Sequence, residues 1–575
     1  MLSKKSSVVL LEMLKDYDVE HIFGLPGETT LPLYMAWDDF PEIHHVLARD
    51  ERSAAFMADA YARLSFKPGV CESPSVGSTH MIPGVAEAYK ASVPMVAFTS
   101  DIPLYAERKN MLTGLDQTSL YEGITKETIT LTKGSEIPGV VRRAFRIATC
   151  GRPGPVHIRV PMDIFGEELE DPKVYAQKGF SRYPGSRPAA ETSKIQQAVR
   201  LLAEKERPIL VCGQGTLHSQ AWNEVVELAE LFGIPVGTTI TGKGSIAETH
   251  PLSIGVIGAR GGTEFSNRVL EEADLVFYIG SDTDSATTDN WTLPSLDGED
   301  KVIHLDISGA EVGNNFPTDI GMIGDARTTL RLMVEFAREK VEKRDFREIP
   351  RIKKVLDKAE EYQQHVEGLM NSKDVPVHPM RFMKAFTETL PENHVITTDP
   401  GVSAIYPSAF YKEPEAGRRI LFNYALGALG YSIPASVGAY HARPESCVVA
   451  LTGDGSFGFT AGELETISRV GGNINVIHFN NGSYGWIKAA LRFSYEPKYF
   501  DTDFQAVEYA KIAEGFGLKP YEITEPEDLV PVLETAFSLD CPTFIDIQVK
   551  SEDKLVPPVP SWSRRAEELG VEHIY

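Results

Sequence analysis

Short apolar runs alternate with longer stretches whose apolar positions recur at helical spacing along nearly the whole chain. That alternation predicts parallel sheets flanked by helices, an α/β fold. In the first third, strands are expected at residues 21–23, 44–48, 69–71, 95–99 and 156–160. A polar stretch rich in Pro and Gly, 171–192, reads as a linker. A second unit follows with strands at 209–212, 275–279 and 302–306, and then a charged helical stretch from Ala326 to Met370. The third unit is entered through 375–378 and carries strands at 394–397, 448–452, 475–479 and 543–549. The expected layout is three doubly wound parallel-sheet domains at 1–175, 190–345 and 375–550. Residues 551–575 are too proline-rich for a strand and read as an arm on the surface.

A chain of 575 residues is too long for one hydrophobic core, in keeping with several domains. Its net charge of −24 sets the average surface against nucleic acid and anionic lipid. Cys71, Cys150, Cys212, Cys447 and Cys541 are scattered without a CxxC pair, so neither a disulfide framework nor a zinc site is expected. Glu12, Lys15 and Asp16 interrupt the apolar N-terminal stretch at helical spacing, which reads as an amphipathic first helix rather than a signal peptide. No run of apolar residues is long enough for a membrane span. A cytoplasmic location is therefore expected.

The sharpest chemical signal is VVALTGDGSFGFTAGELETISRVGGNINVIHFNNGSYGW. One buried strand ends at Gly453-Asp454-Gly455-Ser456, a helix follows, and a second strand ends at Asn480-Asn481. Parallel strands end on one edge, so Asp454 and Asn481 are expected to be neighbours, with Ser483 close by. These are hard oxygen donors without sulfur or imidazole, suited to Mg²⁺ completed by phosphate oxygens. Gly455 and Ser456 open a helix whose N–H groups suit a diphosphate. Taken alone, each turn reads as a plain connection; the two together, at strand ends separated by one crossover helix, point to a site.

The pair Gly453-Asp454-Gly455 and Asn480-Asn481 resembles the fingerprint of thiamine-diphosphate enzymes. The resemblance implies that Asp454, Asn481 and the Ser483 carbonyl hold Mg²⁺. It further implies a glutamate at a helix start in the N-terminal domain, and Glu51 stands there, before ERSAAFMADAYARLS. That carboxyl would bond N1′ of the cofactor's aminopyrimidine. In NYALGALGYSIPASVGAY, Leu429 takes the place of the residue that props the cofactor into a V shape, and the Gly427 carbonyl that of the acceptor for its 4′-amino group. Gly401 and Ser403 in TTDPGVSA resemble a diphosphate-contacting turn. On this likeness the three domains are pyrimidine-binding, central Rossmann-like and diphosphate-binding. In that family the counterparts of Glu51 and Asp454, which lie on different domains, come together across a subunit interface, so the resemblance implies a homodimer or homotetramer.

The layout is most similar to the acetolactate synthase and 2-oxo acid decarboxylase branch. Acetolactate synthases bind FAD with an arginine-bearing segment where this chain has Asp282-Thr283-Asp284-Ser285-Ala286, which makes FAD doubtful, although Gly255, Gly258 and Gly261 retain the form of a close-approach loop. Glu28 reads equally as a proton shuttle or a solvated loop carboxylate, and His80 as an acid–base group or a structural histidine. Gln117 matches a glutamine of acetolactate synthases, its neighbour having become Asp116, and Trp486 reads as a pocket wall or plain core. The activity implied is a carboligase that decarboxylates a 2-oxo acid and adds the enamine to a second carbonyl compound. Simple decarboxylation, cleavage of a 2-hydroxyketone or 2-hydroxyacyl thioester, and an inactive cofactor-binding regulatory subunit are the alternatives.

Overall fold

The computed structural model describes residues 3–295, 300–340 and 345–571. Three six-stranded parallel sheets follow one another along the chain, each flanked by helices. In the first, the strands lie side by side as His44–Leu47, His21–Gly24, Gly69–Ser73, Met95–Asp101, Pro155–Pro161 and Glu127–Thr130. In the third, the order is Ile420–Phe422, His394–Thr398, Cys447–Gly453, Ile474–Asn480, Thr543–Gln548 and Lys519–Ile523. Counted along the chain, both sheets run 2-1-3-4-6-5. The central sheet runs 3-2-1-4-5-6 from Ser253–Val256 to Ile320–Ile323, the Rossmann order.

The apolar runs become inner strands, buried on both faces, as in 448–451 and 475–479. The strands that the pattern does not announce are short, and all but Val236–Thr238 lie on sheet edges. The N-terminal helix Ser6–Asp16 buries Val9, Leu10, Met13 and Leu14. Cys71, Cys212 and Cys447 are free thiols within the cores.

Two expectations are corrected. The stretch from Ala326 to Met370 is not one helix: it divides into Ala326–Arg338 and Pro350–Met370, with 341–344 lying outside the described residues. Pro350 sits at the start of the second helix, where a missing N–H costs nothing. The C-terminal segment is not a surface arm either. Val556, Val559, Trp562 and Ala566 are buried in the third domain's core, the last two on the helix Pro560–Glu568. The prolines exclude a strand but serve a helix start at Pro560. Residues 572–575 lie outside the described residues.

One helix pair joins the first domain to the third. Glu51–Ser65 is capped by Asp50, which accepts from Arg52 N at 2.8 Å, and it ends on Phe66 in the left-handed region at φ 57°. It packs along Ser432–Ala442, the helix that follows the equivalent strand of the third sheet. Both helices are rich in small residues, and their buried side chains belong to one continuous core. At Gly438 a Cβ would overlap the Met57 carbonyl. Arg63 and Asp59 are buried at this contact, with Arg63 Nε 2.7 Å from Asp59 Oδ2 and Arg63 Nη1 donating to Phe422 O at 3.0 Å. Tyr431 OH donates to Asp59 at 2.7 Å.

A helix-interior Gly→Ala change ordinarily gains about 1 kcal/mol. Gly438→Val should instead lose about 1–3 kcal/mol, because the overlap with Met57 forces the helices apart. Chemical denaturation of the variant checks this, and an unchanged midpoint would refute the close-contact account.

Candidate functional site

The order of the third sheet reverses between His394–Thr398 and Cys447–Gly453, and a crevice opens at the carboxyl ends of these strands and of Ile474–Asn480. Its open volume is about 600 Å³. Gly401, Ser403, Leu429, Asp454, Gly455, Ser456, Asn481 and Ser483 all line it, as do Trp486 and Glu552. Residues from five separate segments thus converge on one pocket.

Asp454 begins the helix Asp454–Thr460 and is buried. Its Oδ2 accepts from Asn481 N at 2.9 Å, whereas its buried Oδ1 has no hydrogen-bond donor. His478 Nε2 lies 3.9 Å from that oxygen, but the ring's other nitrogen, Nδ1, is 2.8 Å from Asp546 Oδ1. At 3.9 Å, Nε2 makes no hydrogen bond to Oδ1. Burial pushes the Asp454 carboxyl up, opposed by His478 and Asn481 N. A buried acceptor left without a donor, beside an amide and a serine, is a site that a hard cation would satisfy.

Asn481 is held from two sides. Its Oδ1 accepts from Ser483 N at 3.1 Å and Ser483 Oγ at 2.9 Å, and its Nδ2 donates to Glu552 Oε2 at 2.8 Å. Glu552 is buried, and burial pushes its carboxyl up to about 7. It comes from the C-terminal segment, and no local motif announces it.

Behind the pocket, Asp399 is fully buried and accepts from Gly430 N (2.9 Å), Tyr431 N (2.8 Å), Ser432 Oγ (2.5 Å) and Thr452 Oγ1 (3.0 Å). It ties the loop that carries Leu429 to two strand ends. Ser403 Oγ donates to the Asp399 carbonyl at 2.8 Å, so this hydroxyl is engaged with the turn that leads into its helix. Gly427, at φ 80°, donates its N–H to Glu87 at 3.2 Å. Trp486 meets Trp562 with ring centroids 4.7 Å apart, so it serves as wall and core together.

The residues expected on the first domain sit at the carboxyl edge of its own sheet. Glu51 is buried, and Gly77 makes room for it: a Cβ there would overlap the Glu51 carboxylate. His80 is largely exposed, with Nδ1 3.1 Å from Glu51 Oε2. Glu28 is exposed at the start of the short turn Glu28–Thr30. Gln117 is fully buried, its Oε1 accepting from Thr99 Oγ1 and its Nε2 donating to Ser100 O at 2.9 Å. Asp116 caps the helix that Gln117 opens, accepting from Ser119 N at 3.3 Å. The corner holding Glu51 is fastened to the third domain, Arg49 N donating to Glu463 Oε1 at 3.0 Å.

At the central sheet's own point of reversal lies a cleft where Gly213, Gln214, Gly280, Asp282 and Asp306 meet Arg152 of the first domain. Burial raises the carboxyls of Asp282 and Asp306, the latter to about 7. The Arg152 guanidinium is paired with Glu311 at 2.6 Å. Acidic residues in the lining and an arginine already paired with Glu311 leave FAD doubtful here. The expected glycine loop serves the protein itself: a Cβ on Gly258 would overlap the carbonyls of Ala286 and Thr287, and one on Gly261 would overlap Ser408.

Sequence comparison agrees with this geometry. Residues 4–120, 195–333 and 399–547 match the N-terminal, central and C-terminal domains of thiamine pyrophosphate enzymes. The chain belongs to the thiamine pyrophosphate enzyme family. It is 34% identical to a probable acetolactate synthase large subunit of Methanocaldococcus jannaschii, over 96% of this chain and 94% of that protein. It is 32% identical to an acetolactate synthase of Arthrospira platensis over 98% and 97%, and 29% identical to an acetolactate synthase large subunit of Lactococcus lactis over 98% and 96%.

Two outcomes follow. Glu552→Ala should weaken Mg²⁺ or Mn²⁺ binding by about 10–100-fold, because the Asn481 amide loses its anchor; titration with Mn²⁺ reads this directly. The purified protein should carry no stoichiometric flavin, which its visible absorbance spectrum checks.

Proposed function

We propose that the chain is an acetolactate-synthase-like carboligase, which decarboxylates a 2-oxo acid and joins the remaining fragment to a second carbonyl compound. The observation that carries this reading is the donor-less Asp454 Oδ1 in one pocket with Asn481 and Ser483, in a chain that aligns end to end with acetolactate synthases. Thiamine diphosphate, when bound, supplies the electron sink for breaking and making bonds beside a carbonyl. Asp454, Asn481 and the Ser483 carbonyl hold Mg²⁺, and Gly401, Ser403, Gly455 and Ser456 meet the diphosphate. Glu51 would hold the proton at N1′ of the aminopyrimidine, the Gly427 carbonyl would accept from the 4′-amino group, and Leu429 would pack against the bound cofactor. His80, 3.1 Å from Glu51, orients that carboxyl. Leu429, Trp486 and Ile487 form an apolar wall, which favours loss of CO₂ because charge is neutralised there. Glu28 would move a proton from the same sheet edge as Glu51, and Gln117 acts through Thr99 and Ser100 rather than at the reacting atoms.

Glu51 does not line the pocket of its own chain. We infer a homodimer or homotetramer in which one chain's Glu51 serves its partner's pocket. Exposed Leu112 (84%), Phe500 (83%) and Met35 (79%) supply apolar surface for such an assembly. Among the described residues no helix is long and apolar enough to cross a membrane. The free thiols suit a reducing cytoplasm.

With pyruvate, Mg²⁺ and thiamine diphosphate, proton NMR should show acetolactate. Acetaldehyde alone would replace this reading with a decarboxylase, and cofactor binding without turnover of any 2-oxo acid or hydroxyketone would favour a regulatory subunit. Glu51→Gln should lower turnover by about 100-fold or more while leaving cofactor affinity nearly unchanged, as kinetics and titration will show.

A further inference from the structure

The helix Ser78–Lys90 carries a second carboxylate toward the cofactor pocket. Glu87 is fully buried, and its Oε2 accepts from Gly427 N at 3.2 Å. The Ala428 N–H also bonds this carboxyl. Its Oε1 has no hydrogen-bond partner. Arg63 Nη2 stands 3.8 Å away, beyond hydrogen-bond reach, and that guanidinium is already committed to Asp59 and the Phe422 carbonyl. Burial pushes the Glu87 carboxyl up to about 7, Arg63 pulling it down and Asp59 adding to the rise. As a packing element this is a poor choice: an aliphatic side chain would fill the space without a half-satisfied buried acid.

The loop between Tyr424 and Tyr431 explains it. Gly427 and Gly430 hold positive φ, at 80° and 83°, and Leu426 is 52% exposed, so the loop has little packing of its own. Asp399 grips its far end at Gly430 and Tyr431, and Asn423 Nδ2 holds the Ala428 carbonyl at 2.5 Å. At Gly427 itself the first domain supplies the hold, through Glu87.

We propose that Glu87 is a positioning residue: by accepting from Gly427 N and from Ala428 N–H, it sets the Gly427–Ala428 peptide, whose carbonyl and whose neighbour Leu429 would face the cofactor. The consequence for turnover rests on the pocket being the thiamine diphosphate site; the consequence for the loop does not. The first domain would then contribute to its own chain's pocket through Glu87, whereas Glu51 serves the partner's.

The test uses full-length Glu87→Leu and Glu87→Gln. Leu fills the space without an acceptor, and Gln keeps one. Hydrogen exchange of the peptide spanning 424–431, measured without cofactor, should quicken by about 5–10-fold in Glu87→Leu and stay near wild type in Glu87→Gln. With substrate, kcat should fall by about 10–100-fold in the Leu variant with KM little changed, and recover most of its value in the Gln variant. The Tm of neither variant should fall, since the buried acid is removed. Unchanged loop exchange in Glu87→Leu would overturn the proposal, as would a Gln variant as impaired as Leu, or a loss of kcat that tracks a loss of Tm. If Glu87→Leu does not fold, quickened loop exchange in Glu87→Gln overturns it. Faster loop exchange with unchanged kcat would instead reject the loop's assignment to the cofactor.

Discussion

Everything at the pocket depends on how closely two helices approach. Glu51–Ser65 and Ser432–Ala442 occupy equivalent places in two sheets of the same strand order, and both are rich in small residues. Larger side chains would separate the first and third domains by the width of a methyl group or more, and the hydrogen bonds that cross between them would stretch beyond reach. The buried Asp59–Arg63 pair at this contact is poor evidence of stability, since desolvation offsets most of its attraction. It gives register instead. Arg63 reaches Phe422 O and Asp59 accepts from Tyr431, so sliding one helix along the other would strand a charge in the core.

From that register the chemistry follows in steps. The strand reversal opens a crevice, and Gly453, Asp454 and Asn481 arrive at it because their strands are adjacent and parallel. Asp454 keeps one oxygen free because His478 is turned toward Asp546. Asn481 is aimed by Ser483 on one side and Glu552 on the other. Each catalytic role assigned to these groups thus rests on a neighbour that holds the group without reacting.

Much of this was legible in the chain before any coordinates. Inner strands such as 448–452 and 475–479 are continuous apolar runs, because both faces of a parallel sheet are covered. Edge strands such as Ile420–Phe422 and Lys519–Ile523 are short or half-exposed, and their pattern fades into that of loops. The pocket residues on the third domain were legible because turn glycines and hard donors stand together in short motifs. Asp399, Glu87 and Glu552 were not, since each acts on backbone or amide groups far away in sequence. The proline-rich C-terminal segment misled for a related reason: proline forbids a strand but is silent on whether valine and tryptophan between the prolines are buried.

The position of Glu552 also bears on how far the pocket is a property of the sheets. Every strand of the three sheets precedes it in chain order, so the residue that steadies Asn481 belongs to the segment packed after the last strand. The sheet alone brings Asp454 to the crevice, whereas the aim of the Asn481 amide depends on how firmly that later segment is seated.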